Sequence, residues 1–253
     1  MYVRGSYAAV YRLGSALFSI LIALTTLFSC DCRQSDQSDP SIEKLPGRVP
    51  GPHRGESLSA GERQQFVSLS AVVSRYYPTW KRDIEALDEY VQHHKNSSET
   101  LRLKALVAKR VRDTDAWRRF VRDVERVLPE DVLVREGRPP FGIIPSYQVV
   151  VQTAHPRGTV AVVFRFSYLA PVYDYYESIR DQRNLLIETR LASSDETAPI
   201  ADQVRRMIAK HYSDYRELPS AVGTTLVPNI GTGTLPPDET TLADALFEDS
   251  RSW

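Results

Sequence analysis

Tyr147-Gln148-Val149-Val150-Val151-Gln152-Thr153-Ala154, then His155-Pro156-Arg157-Gly158, then Thr159-Val160-Ala161-Val162-Val163-Phe164-Arg165-Phe166-Ser167: this stretch decides the fold class. Its two arms are rich in valine and aromatic residues, which suit a pleated, half-buried surface. The four residues between them form a short turn ending in glycine, so the segment reads as an antiparallel hairpin. With a side-chain period of two, Phe164 and Phe166 share one face and Arg165 takes the other.

Upstream of the hairpin the period is helical. Ser59-Ala60-Gly61-Glu62 has the form of a capping box, and Phe66, Leu69, Val73 and Tyr76 follow at helical spacing up to Pro78. Proline is acceptable in a first turn, so a second helix is expected from Pro78, burying Trp80, Ile84, Leu87 and Val91 and closing at His93-His94-Lys95-Asn96. Leu103, Leu106, Val107 and Val111 come next. Trp117, Phe120, Val121, Val124 and Leu128 then give the clearest helical stripe of the chain. Residues 98–128 read either as one long helix or as two with Thr114 capping the second; two is preferred.

Downstream, Val132–Val134 is expected to open the sheet, and Tyr173–Ile179 and Leu185–Leu191 to extend it. A helix is expected from about Ala198 to Tyr212, apolar at Ile200, Val204, Met207 and Ile208, then a short strand at Thr225–Val227 and a loop-rich tail. Helices, then a meander, then a helix predict an α+β domain with N-terminal helices packed on one face of an antiparallel sheet. The organisation expected is residues 1–29 as a signal, 30–57 as a flexible tether, 58–230 as a single domain and 231–253 as a tail. Ser, Asp, Gln, Pro and Gly dominate the tether, which has almost nothing apolar to bury.

The N-terminus gives an address. Arg4 and Arg12 precede an apolar run of about 15 residues from Ser15 to Ser29, which ends in Leu27-Phe28-Ser29-Cys30. A basic flank, a short apolar core, a small residue and then cysteine resemble the signal peptide and lipobox of bacterial lipoproteins. Leu27 and Ser29 fit that pattern; Phe28 is bulkier than the residue usual there. The resemblance implies a diacylglyceryl thioether on Cys30, palmitate incorporation, and cleavage that leaves Cys30 as the new N-terminus. An uncleaved signal anchor is the alternative, although the run falls short of the ~20 residues that cross a hydrocarbon core. Asp31 resembles the signal that keeps some lipoproteins on the inner membrane. The implied place is the cell envelope: the periplasmic face of the inner or outer membrane, or the cell surface. Cys32 is left as one unpaired thiol, since two cysteines in a Cys-x-Cys pair build neither a zinc site nor a disulfide framework.

Charge excludes some partners. The chain holds 32 basic and 32 acidic residues, and losing Arg4 and Arg12 with the signal tips the balance only slightly acidic. That is not the composition of a nucleic-acid binder. The basic run Lys109, Arg110, Arg112, Arg118, Arg119, Arg122 and Arg126 is interleaved with Asp113, Asp115, Asp123 and Glu125 opposite the apolar stripe, as on a solvated, salt-bridged helix face.

Motifs for chemistry are sparse. His53, His93, His94, His155 and His211 have no HExxH-type spacing, and neither a GxSxG elbow, a Walker loop nor a dinucleotide fingerprint occurs. Gly231-Thr232-Gly233-Thr234 leads into Leu-Pro-Pro rather than a helix that would hold phosphate. No cofactor, metal or catalytic residue is assigned on these grounds. The candidate partner surface is Tyr173, Asp174, Tyr175, Tyr176 and Glu177, where one strand face is core and the other a wet aromatic surface suited to recognition. Asp174 and Glu177 fall on opposite faces, which disfavours a paired-carboxylate acid/base site.

In the tail, Thr241-Leu242-Ala243-Asp244-Ala245-Leu246-Phe247-Glu248-Asp249 suits a short helix whose Leu242, Leu246 and Phe247 dock on the domain. It is loosely similar to the T-L-x-D-x-L-F-x-D endings of some uncharacterised bacterial α+β proteins, including immunity-like partners of secreted toxins. The functional expectation is a membrane-tethered, non-enzymatic binding or immunity-like protein of the envelope, held to lipid by Cys30 and meeting a protein partner there. An envelope hydrolase acting on peptidoglycan or lipid, its site assembled from distant residues, is the first alternative; a structural or assembly lipoprotein is the second.

Overall fold

The computed structural model describes residues 55, 57–79, 93–112, 114–137, 144–232, 235 and 239–247. The signal, nearly all of the tether and the helix expected to bury Trp80, Ile84, Leu87 and Val91 lie outside the described residues.

The first described helix, α1, spans Ala60–Val73 and begins as its sequence dictates. The Ser59 backbone N–H donates to Glu62 Oε2 at 2.9 Å, and the Glu62 N–H donates to Ser59 Oγ at 3.3 Å, which completes the capping box. Leu69 and Val73 are buried, with Phe66 and Tyr76 packed beside them. Residues 98–128 form two helices, α2 (Ser98–Arg112) and α3 (Asp115–Val127). Thr114 occupies the N-cap position of α3, but its hydroxyl makes no capping bond. The α3 stripe buries Trp117, Phe120, Val124 and Leu128, and its arginines 118, 119, 122 and 126 are exposed, with Arg126 paired to Asp123 at 3.1 Å.

The sheet is an antiparallel meander, β1 (Leu133–Gly137), β2 (Ser146–His155), β3 (Gly158–Ser167), β4 (Val172–Arg180) and β5 (Leu186–Arg190), in sequence order. The hairpin of β2 and β3 is in register from Ser146↔Ser167 to His155↔Gly158, turning through Pro156 and Arg157 alone. Gly158 has φ +140°, and a Cβ there would sit 2.2 Å from the Arg180 carbonyl oxygen, so this position admits only glycine. Helix α4 (Ala198–His211) follows, and then a two-residue strand unforeseen from sequence, β6 (Arg216–Glu217), pairs in parallel with β4 at Val172 and Tyr173. Thr225–Val227 is not a strand; Leu226 makes a single bridge to Thr241. A short helix α5 (Ser220–Gly223) and a last helix α6 (Leu242–Phe247) close the described chain.

The sheet is covered on both faces, which departs from the expectation of one covered face. On one face Tyr147, Val149, Val151, Val162, Phe164, Phe166 and Tyr173 pack against α3 and α4 through Trp117, Phe120, Val124, Ala201, Val204 and Ile208. Trp117 stacks on Tyr147 at 4.7 Å and meets Phe166 edge-on at 5.3 Å. The opposite face carries Ser146, Gln148, Arg165, Ser167 and Ser178, all buried. Helix α6 contacts β3 there. It also packs with α1, α5, Leu58 and Val172 in a second core. Residues 242–247, assigned by sequence to the tail, are therefore core.

Thr241 and Asp244 cap α6 reciprocally. The Thr241 N–H and hydroxyl donate to Asp244 Oδ2 at 2.9 and 2.6 Å, and the Asp244 N–H donates to Thr241 Oγ1 at 3.2 Å. At the other end, Ser167 Oγ donates to the Leu246 carbonyl at 3.0 Å and Ser146 Oγ to the Phe247 carbonyl at 3.3 Å. The sheet thus satisfies carbonyls that a short helix leaves without internal partners.

Candidate functional site

Strand β4 brings together all five residues singled out from sequence. The pleat sends Tyr173, Tyr175 and Glu177 to the α4 face and Asp174 and Tyr176 to the α6 face, as the alternation dictates. Exposure is where the expectation fails. Tyr173, Tyr176 and Glu177 are buried, and only Asp174 and Tyr175 remain half-buried. An open aromatic surface is thus corrected to an interior strand. The reason is tertiary: β4 pairs with β3 along one side and with β5 and β6 along the other, while Tyr173 joins the core of α3 and α4 and Val172 the core of α6.

On the α6 face, Arg165 is fully buried, its accessible surface 0%. It stands opposite Asp174 in the β3–β4 register, with Nε donating to Oδ1 at 2.8 Å and Nη2 to Oδ2 at 2.5 Å. The two parallel bonds match the planar fork of a guanidinium to a carboxylate. The same guanidinium carbon lies 5.2 Å from the Tyr176 ring centroid and 4.9 Å from that of Phe247, so two rings replace the solvent the cation gave up.

On the α4 face, Glu177 is also 0% accessible and sits beneath the start of α4. Its Oε1 accepts from the Ser194 N–H at 2.7 Å, from Ser194 Oγ at 3.1 Å and from the Thr197 hydroxyl. Thr197 is the N-cap residue of α4, yet it makes no capping bond; its hydroxyl goes to Glu177 instead. An anion at a helix N-terminus also complements the helix dipole.

Nearer solvent, Arg205 of α4 lies over the Tyr175 ring at 4.5 Å and donates from Nη2 to the Tyr175 hydroxyl at 2.5 Å and from Nε to Glu217 at 3.1 Å. Burial alone would lower the Arg205 pKa, but the Glu217 charge and Tyr175 outweigh it and the net shift is upward. The Tyr173 hydroxyl donates to the same Glu217 carboxylate at 3.3 Å. Burial, reinforced by that carboxylate, pushes the Tyr173 phenol up to about 12.

These groups border a small cleft of about 90 Å³ at the β4 edge, where Asp174 and Tyr175 face Leu191, Glu217, Leu218, Ser220, Gly223, Thr224 and Ala243. It lies where β4 passes from its pairing with β6, which ends at Tyr173, to its pairing with β5, which begins at Glu177. Small-molecule sites typically enclose about 300–1,000 Å³. A volume this small holds a few waters or one small polar group. Both of its carboxylates already hold arginines, Asp174 with Arg165 and Glu217 with Arg205.

Among the described histidines, His155 ends β2, 3.9 Å from Glu196, and His211 lies 3.0 Å from Asp123. Among the described residues, no group of three or more His, Cys, Asp or Glu side chains gathers. Arg165, Arg205 and Glu217 were not legible as site residues, because their roles arise from strand register and from the approach of α4. The only local signal for Arg165 is its place between two phenylalanines. No protein-family model, curated protein or solved structure matches the chain.

Proposed function

We propose that this is a lipid-anchored bacterial envelope protein whose folded domain acts by binding rather than by catalysis. The observation that carries the reading is Leu27-Phe28-Ser29-Cys30 at the end of a short apolar run, followed by a polar tether. Acyl chains on Cys30 hold the domain at a membrane face; one chain binds marginally and two or more hold firmly, at about 0.8 kcal/mol per buried methylene. Asp174 and Glu217 are each held by an arginine, and Glu177 Oε1 by Ser194 and Thr197, while Glu177 Oε2 is buried without a hydrogen-bond partner among the described residues, 3.9 Å from Arg190 Nη1.

The tail does not argue for a toxin partner. Its similarity to immunity-like proteins rests on Thr241, Leu242, Asp244, Leu246, Phe247 and Asp249; the first five cap or bury α6, and Asp249 lies outside the described residues. A protein partner in the envelope remains the proposed ligand, recognised by surfaces other than this motif.

Cys30→Ala tests the anchor. The wild type incorporates radioactive palmitate and fractionates with membranes, while the variant is unlabelled and leaves the membrane fraction. An unlabelled wild type overturns the proposal.

A further inference from the structure

At one end of the sheet, three large apolar residues follow one another in the open. Leu185 is 62% accessible, Leu186 39% and Ile187 39%. They form the outgoing side of the turn that joins β4 to β5, the last strand of the meander. β5 pairs Leu186 with Arg180 and Glu188 with Ile179, so Ile187 is the extra residue of a β-bulge, and both side chains stand exposed where the regular ladder ends.

The turn is built rigidly. The Asp181 N–H donates to the Leu185 carbonyl at 2.9 Å and the Asn184 N–H to the Asp181 carbonyl at 2.9 Å, with Asn184 left-handed at φ 64°. The Asp181 carboxylate accepts from the N–H groups of Arg183 and Leu185, both at 2.8 Å. Arg180 Nη1 donates to the Asn184 carbonyl at 3.0 Å. The backbone holding the apolar side chains outward is thus ordered beforehand, which limits the entropy lost when they are buried.

Charge at the tip has one sign to spare. Arg180 and Arg183 flank the apolar residues, Arg183 is exposed, and the single acid among them, Asp181, is engaged by backbone donors. Nearby, Arg157 and Glu188 pair with each other at 3.5 Å. An apolar tip beside arginines is the composition that seats at a bilayer interface, with rings or aliphatic chains at the acyl boundary and cations at anionic headgroups.

We propose that the β4–β5 turn is a membrane-docking tip that places Leu185, Leu186 and Ile187 in the interface of an anionic bilayer. The occupant is lipid, and the proposal rests on the envelope reading in needing a bilayer within reach. About 25 residues separate Cys30 from Gly55. Such a segment spans up to about 80 Å when extended. Docking then fixes the orientation of the domain at the bilayer.

The test is Leu186→Trp in the full chain, reconstituted in vesicles of phosphatidylcholine with or without phosphatidylglycerol. The emission added over the unsubstituted chain is expected to shift to the blue. Brominated acyl chains are expected to quench it, at least about twofold more with phosphatidylglycerol present, and Arg183→Glu to remove that excess. Leu185→Trp repeats the reading at a second exposed position. Red-shifted, unquenched emission from a membrane-bound chain overturns the proposal. So does a blue shift that follows protein concentration without lipid, which assigns the tip to a second copy. Palmitate labelling reads the anchor separately, so failure at the tip and failure at Cys30 are distinguishable.

Discussion

Arg165 remains a cation without accessible surface because each side of its guanidinium is occupied: the Asp174 fork on one edge, the rings of Tyr176 and Phe247 over its faces. Removing one partner strands the other. Asp174→Asn or Arg165→Met alone is expected to lower the unfolding free energy by about 3–5 kcal/mol, whereas the double change Arg165→Met with Asp174→Leu recovers most of it, as measured by urea denaturation. Recovery identifies the pair as structural. Tyr173 makes a pH prediction. Its folded-state pKa is raised, chiefly by burial and then by Glu217, so the neutral phenol favours folding. That contribution is complete below the ordinary tyrosine value of about 10 and disappears as pH rises through about 12. Midpoints of urea unfolding measured from pH 9 upward should fall over this window, and Tyr173→Phe should flatten the fall.

Among the elements, α6 shows how six residues become core. An isolated helix of this length does not form in water, since nucleation is unfavourable and propagation too brief to offset it. It exists because Thr241 and Asp244 cap its start, Ser146 and Ser167 satisfy its last carbonyls, and its apolar residues are all buried. Asp244→Ala is expected to cost about 1 kcal/mol through the cap, plus whatever its lost bonds to Thr241 add in a buried setting. Phe247→Ala should cost about 3–5 kcal/mol, because it leaves a cavity and uncovers Arg165. Thermal unfolding of the two variants should rank them in that order; equal melting points would contradict the packing described. The capping box of α1 and the β2–β3 hairpin were legible because each depends on neighbours within a few residues. Strand β6 was not, because two residues become a strand only when β4 is already beside them.

For the whole molecule, the two cores share the sheet. α3 and α4 cover one face and α6 the other, so residues 242–247 complete the domain. A chain ending at Thr240 should lose cooperative unfolding and expose the buried polar row Ser146, Gln148, Arg165 and Ser167, readable as protease sensitivity in β3. A truncated protein as resistant as the full chain would show the tail to be dispensable. Sequence alone determined the α+β class, the hairpin and the stripe of α3, because propensity and periodicity are local properties. It also placed Asp174 and Tyr176 on one face and Tyr173 and Tyr175 on the other. What only the tertiary structure decided was the fate of those faces. Whether a strand residue meets water depends on which distant segment packs against it, and α6, some seventy residues further along, packs on this face against the neighbouring strand β3 and against Val172.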